Sequence, residues 1–314
     1  LLVNPMLLAL WKHLSTMISL MRAGCLMPDK LLICTDMDRT LIPNGPQAES
    51  PLARQYFSNL VNRPEVLLTY VTGRHQKLVE EAIHNYCLPL PDFVIGDVGT
   101  TIYHVEDAST WERQLGWEDH IAQDWCGKTH ADLKDLLNDI HVLQLQESSK
   151  QNHFKLSYYV PLEANSQALT TLIEQRFKEA DIQARLIWSI DELEGVGLLD
   201  VLPANASKFH AIEALMKMHG FTYENTMFSG DSGNDIEVLA SPIAAVLVAN
   251  SQPDVRELAT LLANENGHPD KLYIAGGNFH GMNGNYTAGI LEGIVHYYPD
   301  TIDWILNDSI NETL

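Results

Sequence analysis

Leu31-Leu32-Ile33-Cys34-Thr35-Asp36-Met37-Asp38-Arg39-Thr40 is the stretch that decides the fold. Its first five residues read as a buried strand, and two carboxylates follow at the strand's end. Side chains two residues apart in such a place can converge on one small space. One carboxylate can attack while the other handles a proton. Like charges held that close resist joint ionisation, so a cation or a shared proton is expected beside them. Aspartate nucleophiles of this kind form aspartyl-phosphate intermediates.

From this strand outward, strands and helices alternate. A helix is expected near 50–62, a strand at Val66–Val71, a helix at Gln76–Asn85 and a strand at Phe93–Ile95. Asp97-Val98-Gly99-Thr100-Thr101-Ile102-Tyr103 reads as a turn into a hairpin. The alternation predicts an α/β fold with a Rossmann-like parallel-sheet core. Around residue 109 the pattern changes. Helices near 116–123, 129–138 and 165–179 mix with strand-like runs at His141–Leu145, Phe154–Val160 and Arg185–Ser189. No structureless loop that long is expected inside a domain, so the block reads as an inserted α+β cap. The alternation is expected to resume at Leu198–Leu202 and to continue through helices near 206–219, 233–240, 253–264 and 285–296, with strands at Thr226–Ser229 and Ala244–Val248. The expected division is an N-terminal extension at 1–28, a core at 29–108 and 198–314, and a cap at 109–197.

Composition narrows the function. In 314 residues, hydrophobic residues at 46% suffice for two cores. Asp plus Glu number 41 against 20 Lys plus Arg, a net charge of -21. With no basic surplus, nucleic acid and anionic membranes are poor partners. An anionic substrate would be repelled at long range and would need local cations. Cys25, Cys34, Cys87 and Cys126 form no C-x-x-C pair. This predicts reduced thiols and a cytoplasmic location. Leu7, Leu10, Leu14, Ile18 and Met21 follow helical spacing, so the N-terminal segment reads as an amphipathic helix rather than a membrane span. Met27 is a candidate natural start.

Three further segments carry chemistry. Thr72-Gly73-Arg74 follows the second strand, where a hydroxyl and a closely approached backbone N–H can bind phosphate oxygens. A Thr-Gly turn capping a helix reads the same way in isolation. Ser207-Lys208 opens a helix after a strand. An ammonium there offsets a carboxylate and a phosphate together. Gly230-Asp231-Ser232-Gly233-Asn234-Asp235 places two acids four apart, able to meet on one side of a helix start. Oxygen donors around a small cavity suit Mg2+. In the cap, strand alternation puts Lys155, Ser157 and Tyr159 on one face, where polar groups can meet sugar hydroxyls. Trp111, Trp117 and Trp125 read as cap core rather than a stacking surface.

In order, the Asp36–Thr40, Val71–Arg74, Ser207–Lys208 and Gly230–Asp235 segments resemble the four motifs of the haloacid dehalogenase-like phosphatases. The resemblance makes Asp36 the nucleophile and Asp38 the general acid and then base. It implies phosphate binding by Thr72, Gly73, Lys208 and Asn234. It implies Mg2+ held by Asp36, the backbone carbonyl of Asp38, Asp231 and Asp235. Asp38 would need a proton before ester cleavage, which its anionic neighbours are expected to favour. The cap's place between the second and third motifs is similar to the subclass with α+β caps. Asp97-Val98-Gly99-Thr100, the Lys155 strand, Asp200-Val201-Leu202-Pro203 with Ala206-Ser207-Lys208, and Ala288-Gly289-Ile290-Leu291-Glu292 resemble sucrose-phosphate phosphatases. The implied substrate is a disaccharide or glycosyl phosphate, sucrose 6-phosphate first, contacted at the rim by Arg74, Lys155, Ser157 and Tyr159. Phosphatases of mannosyl, glucosyl or trehalose phosphates, a phosphomutase, and a non-catalytic partner of a sugar-phosphate synthase (a glycosyltransferase) are the alternatives. Two departures stand out: Arg39, where the family often has a small polar residue, and the run Gly276-Gly277-Asn278-Phe279-His280-Gly281.

Overall fold

A computed structural model describes residues 29–191 and 194–306. The expected helix over Leu7–Met21 lies outside them. The chain opens with β1 (Leu31–Thr35), α1 (Ala53–Val61), β2 (Val66–Val71), α2 (Gln76–Tyr86), β3 (Phe93–Gly96), β4 (Thr101–Val105) and β5 (Trp111–Arg113). It continues through α3 (Leu115–Ala122), α4 (His130–Leu137), β6 (Gln144–Leu145), β7 (Leu156–Val160), α5 (Ser166–Glu179), β8 (Ala184–Asp191) and β9 (Val196–Pro203). It then runs through α6 (Lys208–His219), β10 (Thr226–Gly230), α7 (Ile236–Leu239), β11 (Ala244–Leu247), α8 (Pro253–Glu265), β12 (Leu272–Ile274), α9 (Thr287–Tyr297) and α10 (Ile302–Leu306).

Eight strands form one sheet in the order β12-β11-β10-β1-β2-β3-β4-β5. It is parallel from β12 to β3 and antiparallel at β4 and β5. Strand β1 is buried from end to end because both faces of the sheet are covered. Leu32 and Cys34 join the core that contains Ala211, Ile212 and Leu215 of α6. Leu31 and Ile33 join the opposite core, with Phe57 and Leu60 of α1 and Ile290 and Ile294 of α9. After β1 the chain builds outward on one side to β3, and later on the other side from β10 to β12. A crevice therefore opens at the carboxyl ends of β1 and β10, the position where such sheets bind ligands.

Four strands form a second, antiparallel sheet in the order β6-β7-β9-β8. Here the expected boundaries shift. Leu198–Leu202 was expected to rejoin the central sheet, but it lies in β9, which pairs with β7 and β8. The physical reason is visible in its burial. Leu199 and Val201 are buried, whereas Leu198 and Asp200 are only half-buried, as in a strand covered on one face. β1, by contrast, is covered on both. Trp111–Arg113, past residue 109, pairs with β4 and so extends the central sheet. Of the run at His141–Leu145 only Gln144–Leu145 forms a strand. Strand β12 and helix α10 had no expectation attached. Trp117 and Trp125 are buried in the core that links the two sheets, as their core reading requires. Among the described residues no helix is long and apolar enough to cross a membrane.

Local caps fix where the site-bearing helix begins. Ser207 accepts the His210 N–H on its Oγ at 3.2 Å, so α6 starts at Lys208. Gly99 packs against that start with φ +97°, and a Cβ there would lie 2.4 Å from the carbonyl of Ser207 and 2.8 Å from the Lys208 nitrogen. We expect Gly99→Ala to lose about 2–4 kcal/mol of stability, from a left-handed backbone and backbone overlap together. Urea unfolding checks this, and a variant as stable as the wild type would contradict it.

Candidate active site

The carboxyl ends of β1 and β10 and the first residue of α6 meet at one point. Lys208, 2% exposed, places its Nζ 2.8 Å from Asp36 Oδ1 and 2.6 Å from Asp235 Oδ1. It also donates to Asn234 Oδ1 at 3.1 Å. Burial works against the ammonium, but Asp235 and Asp36 outweigh it and raise its pKa, so Lys208 stays charged. Burial raises the Asp36 carboxyl well above the ordinary range. Lys208 opposes that rise, while Asp235 and Asp231 add to it. Asp235 is pinned on both oxygens, since its Oδ2 also accepts from the backbone N–H of Asp231 (3.1 Å) and Ser232 (3.2 Å). The fit needs Gly230, where a Cβ would sit 2.6 Å from Asp235 Oδ2.

Asp38 does not join this knot. Arg74 grips its carboxylate with two donors, at 2.7 and 2.6 Å, and Asn44 adds a third at 2.7 Å. Burial favours the neutral acid here, but Arg74 and Asn44 outweigh it and hold the pKa below the usual carboxylate range. The expectation that anionic neighbours keep a proton on Asp38 is therefore not met. A bidentate guanidinium is the stronger neighbour. Arg74 itself, expected at the rim, is engaged in the acid pair.

Asp231 faces Thr40, whose hydroxyl donates at 3.3 Å, and Arg39, whose Nε lies 3.5 Å away. Thr72 accepts the Arg74 N–H at 3.2 Å. Thr72, Gly73 and Asn234 all line one cavity of about 650 Å³, with Asp36, Asp38 and Asp231 on its wall. Predicted residues of the first, second and fourth motifs thus share one space, and Lys208 and Asp235 are buried next to it, joined to it through Asp36 and Asn234.

The opposite wall comes from the second sheet. Lys155 lines the cavity, with its Nζ 3.8 Å from Asp200 on β9. Ser157 does not line it. Its hydroxyl donates to Asp200 Oδ1 at 2.5 Å and so holds that carboxylate from behind. Tyr159 is off the cavity, bonded to Glu147 at 2.8 Å. At about 3.3 Å per residue, Tyr159 is some 13 Å along the chain from Lys155, so one shared face reaches the cavity only at one end. Sequence reasoning gave no role to Asn44 or Asn152, and none beyond family likeness to Asp97 or Asp200. Asp97 lines the cavity and is raised by burial, opposed by Lys155 and Asn152. The Ser157–Asp200 pairing is a cross-strand register that no local sequence pattern announces.

Asp36, Asp231 and Asp235 each bring a carboxylate oxygen within 4.8 Å of the others, all buried. Among the described residues one ammonium, that of Lys208, is hydrogen-bonded within this set. The donors are hard oxygens with surplus negative charge, which fits Mg2+. Asp235, with both oxygens engaged, is better placed to orient Lys208 and the 231–232 backbone than to give up an oxygen.

In the ion-free protein the Asp231 pKa rises to about 7, chiefly through burial and then through Asp235, against Arg39 and Lys208. Between its ordinary value near 4 and that value, Asp231 is protonated when folded and ionised when unfolded. Stability from this group therefore falls as pH rises through that window and levels off above it. With metal chelated, Asp231→Asn is expected to flatten the fall of the unfolding midpoint between about pH 4 and 7. Urea titrations across that range check this, and a slope equal to the wild type's would refute it.

Comparison with known proteins agrees with this geometry. The profile of the sucrose-6F-phosphate phosphohydrolase family matches residues 29–298. A Nitrosococcus oceani protein described only as a HAD-like hydrolase is 50% identical over 279 residues, 89% of this chain and 75% of that protein. Sucrose-phosphatase 1 of Nicotiana tabacum is 29% identical over 85% of this chain, which spans only 59% of the tobacco protein. The solved sucrose-phosphatase of Synechocystis, in complex with sucrose and phosphate, superposes with a TM-score of 0.66 at 25% identity, over 86% of this chain and 98% of that one. The chain is a haloacid dehalogenase-like phosphatase and belongs to the sucrose-6F-phosphate phosphohydrolase family.

Proposed function

We propose that this protein is a Mg2+-dependent phosphatase that hydrolyses sucrose 6-phosphate to sucrose and phosphate through an aspartyl-phosphate on Asp36. The observation that carries the reading is a single cavity with two unlike walls. On one lies Asp36 with Lys208 at 2.8 Å. On the other lie Lys155, Asp200 and the half-buried Trp188. Charged hydrogen-bonding groups beside an aromatic ring suit a sugar's hydroxyls and its apolar face.

In this reading Lys208 holds Asp36 by Oδ1, leaving Oδ2 to attack phosphorus. The bond from phosphorus to the sugar oxygen breaks as the bond to Asp36 forms, and Asp38 gives its proton to the leaving oxygen. Water then attacks phosphorus, Asp38 takes its proton, and the acyl phosphate breaks. Thr72, Gly73, Lys208 and Asn234 hold the phosphoryl oxygens. Asp36, Asp231 and the Asp38 carbonyl would hold Mg2+, with Asp235 orienting around them. The ion supplies charge neutralisation for the phosphoryl group. The grip of Arg74 on Asp38 gives the substrate a second task. Its phosphoryl dianion competes for the guanidinium, and an Asp38 relieved of Arg74 regains its affinity for a proton.

We further propose a division of labour between the eight-stranded core, which does the chemistry, and the inserted block with the second sheet, which selects the sugar. The substrate arises by glycosyl transfer onto a sugar phosphate, so a glycosyltransferase is the partner proposed for this phosphatase.

Phosphate release across sucrose 6-phosphate, trehalose 6-phosphate, mannosyl phosphates and hexose phosphates, with and without Mg2+, tests the assignment. Sucrose 6-phosphate is expected to show the highest kcat/KM, and another sugar ahead of it would reassign the substrate. Asp36→Asn is expected to keep the fold and lower kcat by at least about a thousandfold. Lys155→Met is expected to raise KM for the sugar phosphate while hydrolysis of p-nitrophenyl phosphate stays near wild type. Equal losses on both substrates would take Lys155 out of sugar recognition.

A further inference from the structure

Arg39 is the residue that the four-motif pattern leaves unexplained. Its backbone is left-handed, with φ 58°, a conformation most side chains avoid. Two asparagines hold it there. Asn44 Oδ1 accepts the Arg39 N–H at 2.8 Å, and Asn250 Nδ2 donates to the Arg39 carbonyl at 2.6 Å. Asn44 also donates to Asp38 at 2.7 Å, so it ties this backbone to the proposed acid. The side chain lies at the cavity wall, with Nε 3.5 Å from Asp231 Oδ2.

This attachment differs from those of the two cations in the predicted motifs. Lys208 and Arg74 make hydrogen bonds to their carboxylates of 2.8 Å or less. Arg39 Nε is buried and has no hydrogen-bond partner, and the side chain is about a third exposed, at 32%. Its hold on Asp231 is a Coulomb contact alone, which can be given up without breaking a hydrogen bond. The charge balance explains why it is present. Asp36, Asp231 and Asp235 bring three carboxylates together, and Lys208 supplies one positive charge in contact with two of them. Asp231 is the acid without a share in that ammonium's hydrogen bonds.

We infer that Arg39 is the built-in counter-cation of Asp231, displaced from that carboxylate when a divalent ion enters, and that it thereby holds down the site's affinity for metal. The inference rests on the Mg2+ reading proposed above. Arg39 is a positioning residue in this role, because it acts through Asp231. A guanidinium 3.5 Å from one metal-binding carboxylate both neutralises the charge an ion needs and repels the ion itself.

Direct metal binding tests this without turnover. Mn2+ is titrated into the metal-stripped full chain and the free ion counted by electron paramagnetic resonance, with Mg2+ followed by calorimetry. Arg39→Asn keeps a residue that tolerates the left-handed backbone, and it is expected to bind Mn2+ about tenfold more tightly than the wild type. Arg39→Lys retains the charge and is expected to bind as the wild type does. Affinity unchanged or weakened in Arg39→Asn would overturn the inference, as would an equal gain in Arg39→Lys, since shape rather than charge would then set the affinity. If the wild type binds neither ion, the Mg2+ reading falls and takes this inference with it. If the wild type binds and only the Arg39→Asn gain is missing, this inference alone falls.

Discussion

The ammonium of Lys208, buried between Asp36 and Asp235, is the contact on which the rest of the site depends. It joins the end of β1, the turn after β10 and the first residue of α6. Isolated charges are not tolerated at such burial, and a partnered set persists only when geometry and hydrogen bonds are good. Leaving a buried charge without any partner typically costs about 3–5 kcal/mol, and the doubled partnership guards against this, since Lys208 keeps Asp235 when Asp36 alone is neutralised. Two glycines make the arrangement possible. Gly230 lets Asp235 lie against the end of its own strand, and Gly99 lets the neighbouring loop touch the start of α6.

Charge is balanced on two scales. The chain as a whole carries -21, which repels a phosphate ester at a distance. On the cavity lining Arg74, Arg39 and Lys155 each lie against a carboxylate, while Lys208 is buried next to the lining, against Asp36 and Asp235. A dianion entering this cavity meets Lys150, which among the described residues has no carboxylate ion pair and sits over the Tyr159 ring, and beyond it cations that are already held. It competes for cations already paired, and each pair it opens changes the state of an acid. The release of Asp38 from Arg74 is the case with chemical consequence under the proposed mechanism, because the carboxyl proposed as proton donor is held ionised until something takes the guanidinium away. Binding and protonation are then one event rather than two.

Strands β1, β2, β3, β10 and β11 and the first and fourth motifs were legible because their signals are local, whereas the second and third motifs took their reading from their order in the chain. An apolar run ending in an acid marks β1, and Gly230–Asp235 carries its own turn and helix start. The cap boundary was not legible from hydropathy alone. Leu198-Leu199-Asp200-Val201-Leu202 looks like a core strand until Asp200 is read as the mark of a half-covered face. Asn250 and Asp200 act through partners far away in sequence or across a sheet. A lone asparagine in a loop announces none of that. Tyr159 shows the converse error, since alternation predicts which side of a sheet a residue faces but not how far along it a cavity extends.

Strain at Asp97-Val98-Gly99 bears on how the two walls are coupled. All three residues have positive φ, and a β-branched valine at 62° is a costly member of that set. The surroundings hold the conformation. The Asp97 N–H donates to the Arg74 carbonyl at 3.0 Å, and the Val98 N–H to the Thr72 carbonyl at 3.1 Å. Gly99 packs on Ser207 and Lys208, while its own carbonyl accepts the Trp117 indole N–H at 3.0 Å. Thr100 then accepts from Asn152 at 2.9 Å. One short loop therefore touches the second motif, the backbone that carries the central ammonium, and two points of the inserted block. A tightly packed segment of this kind cannot shift at one contact while staying fixed at the others. Movement of the second sheet would be felt, through this loop, at Thr72 and Lys208, so the two walls of the cavity are mechanically joined.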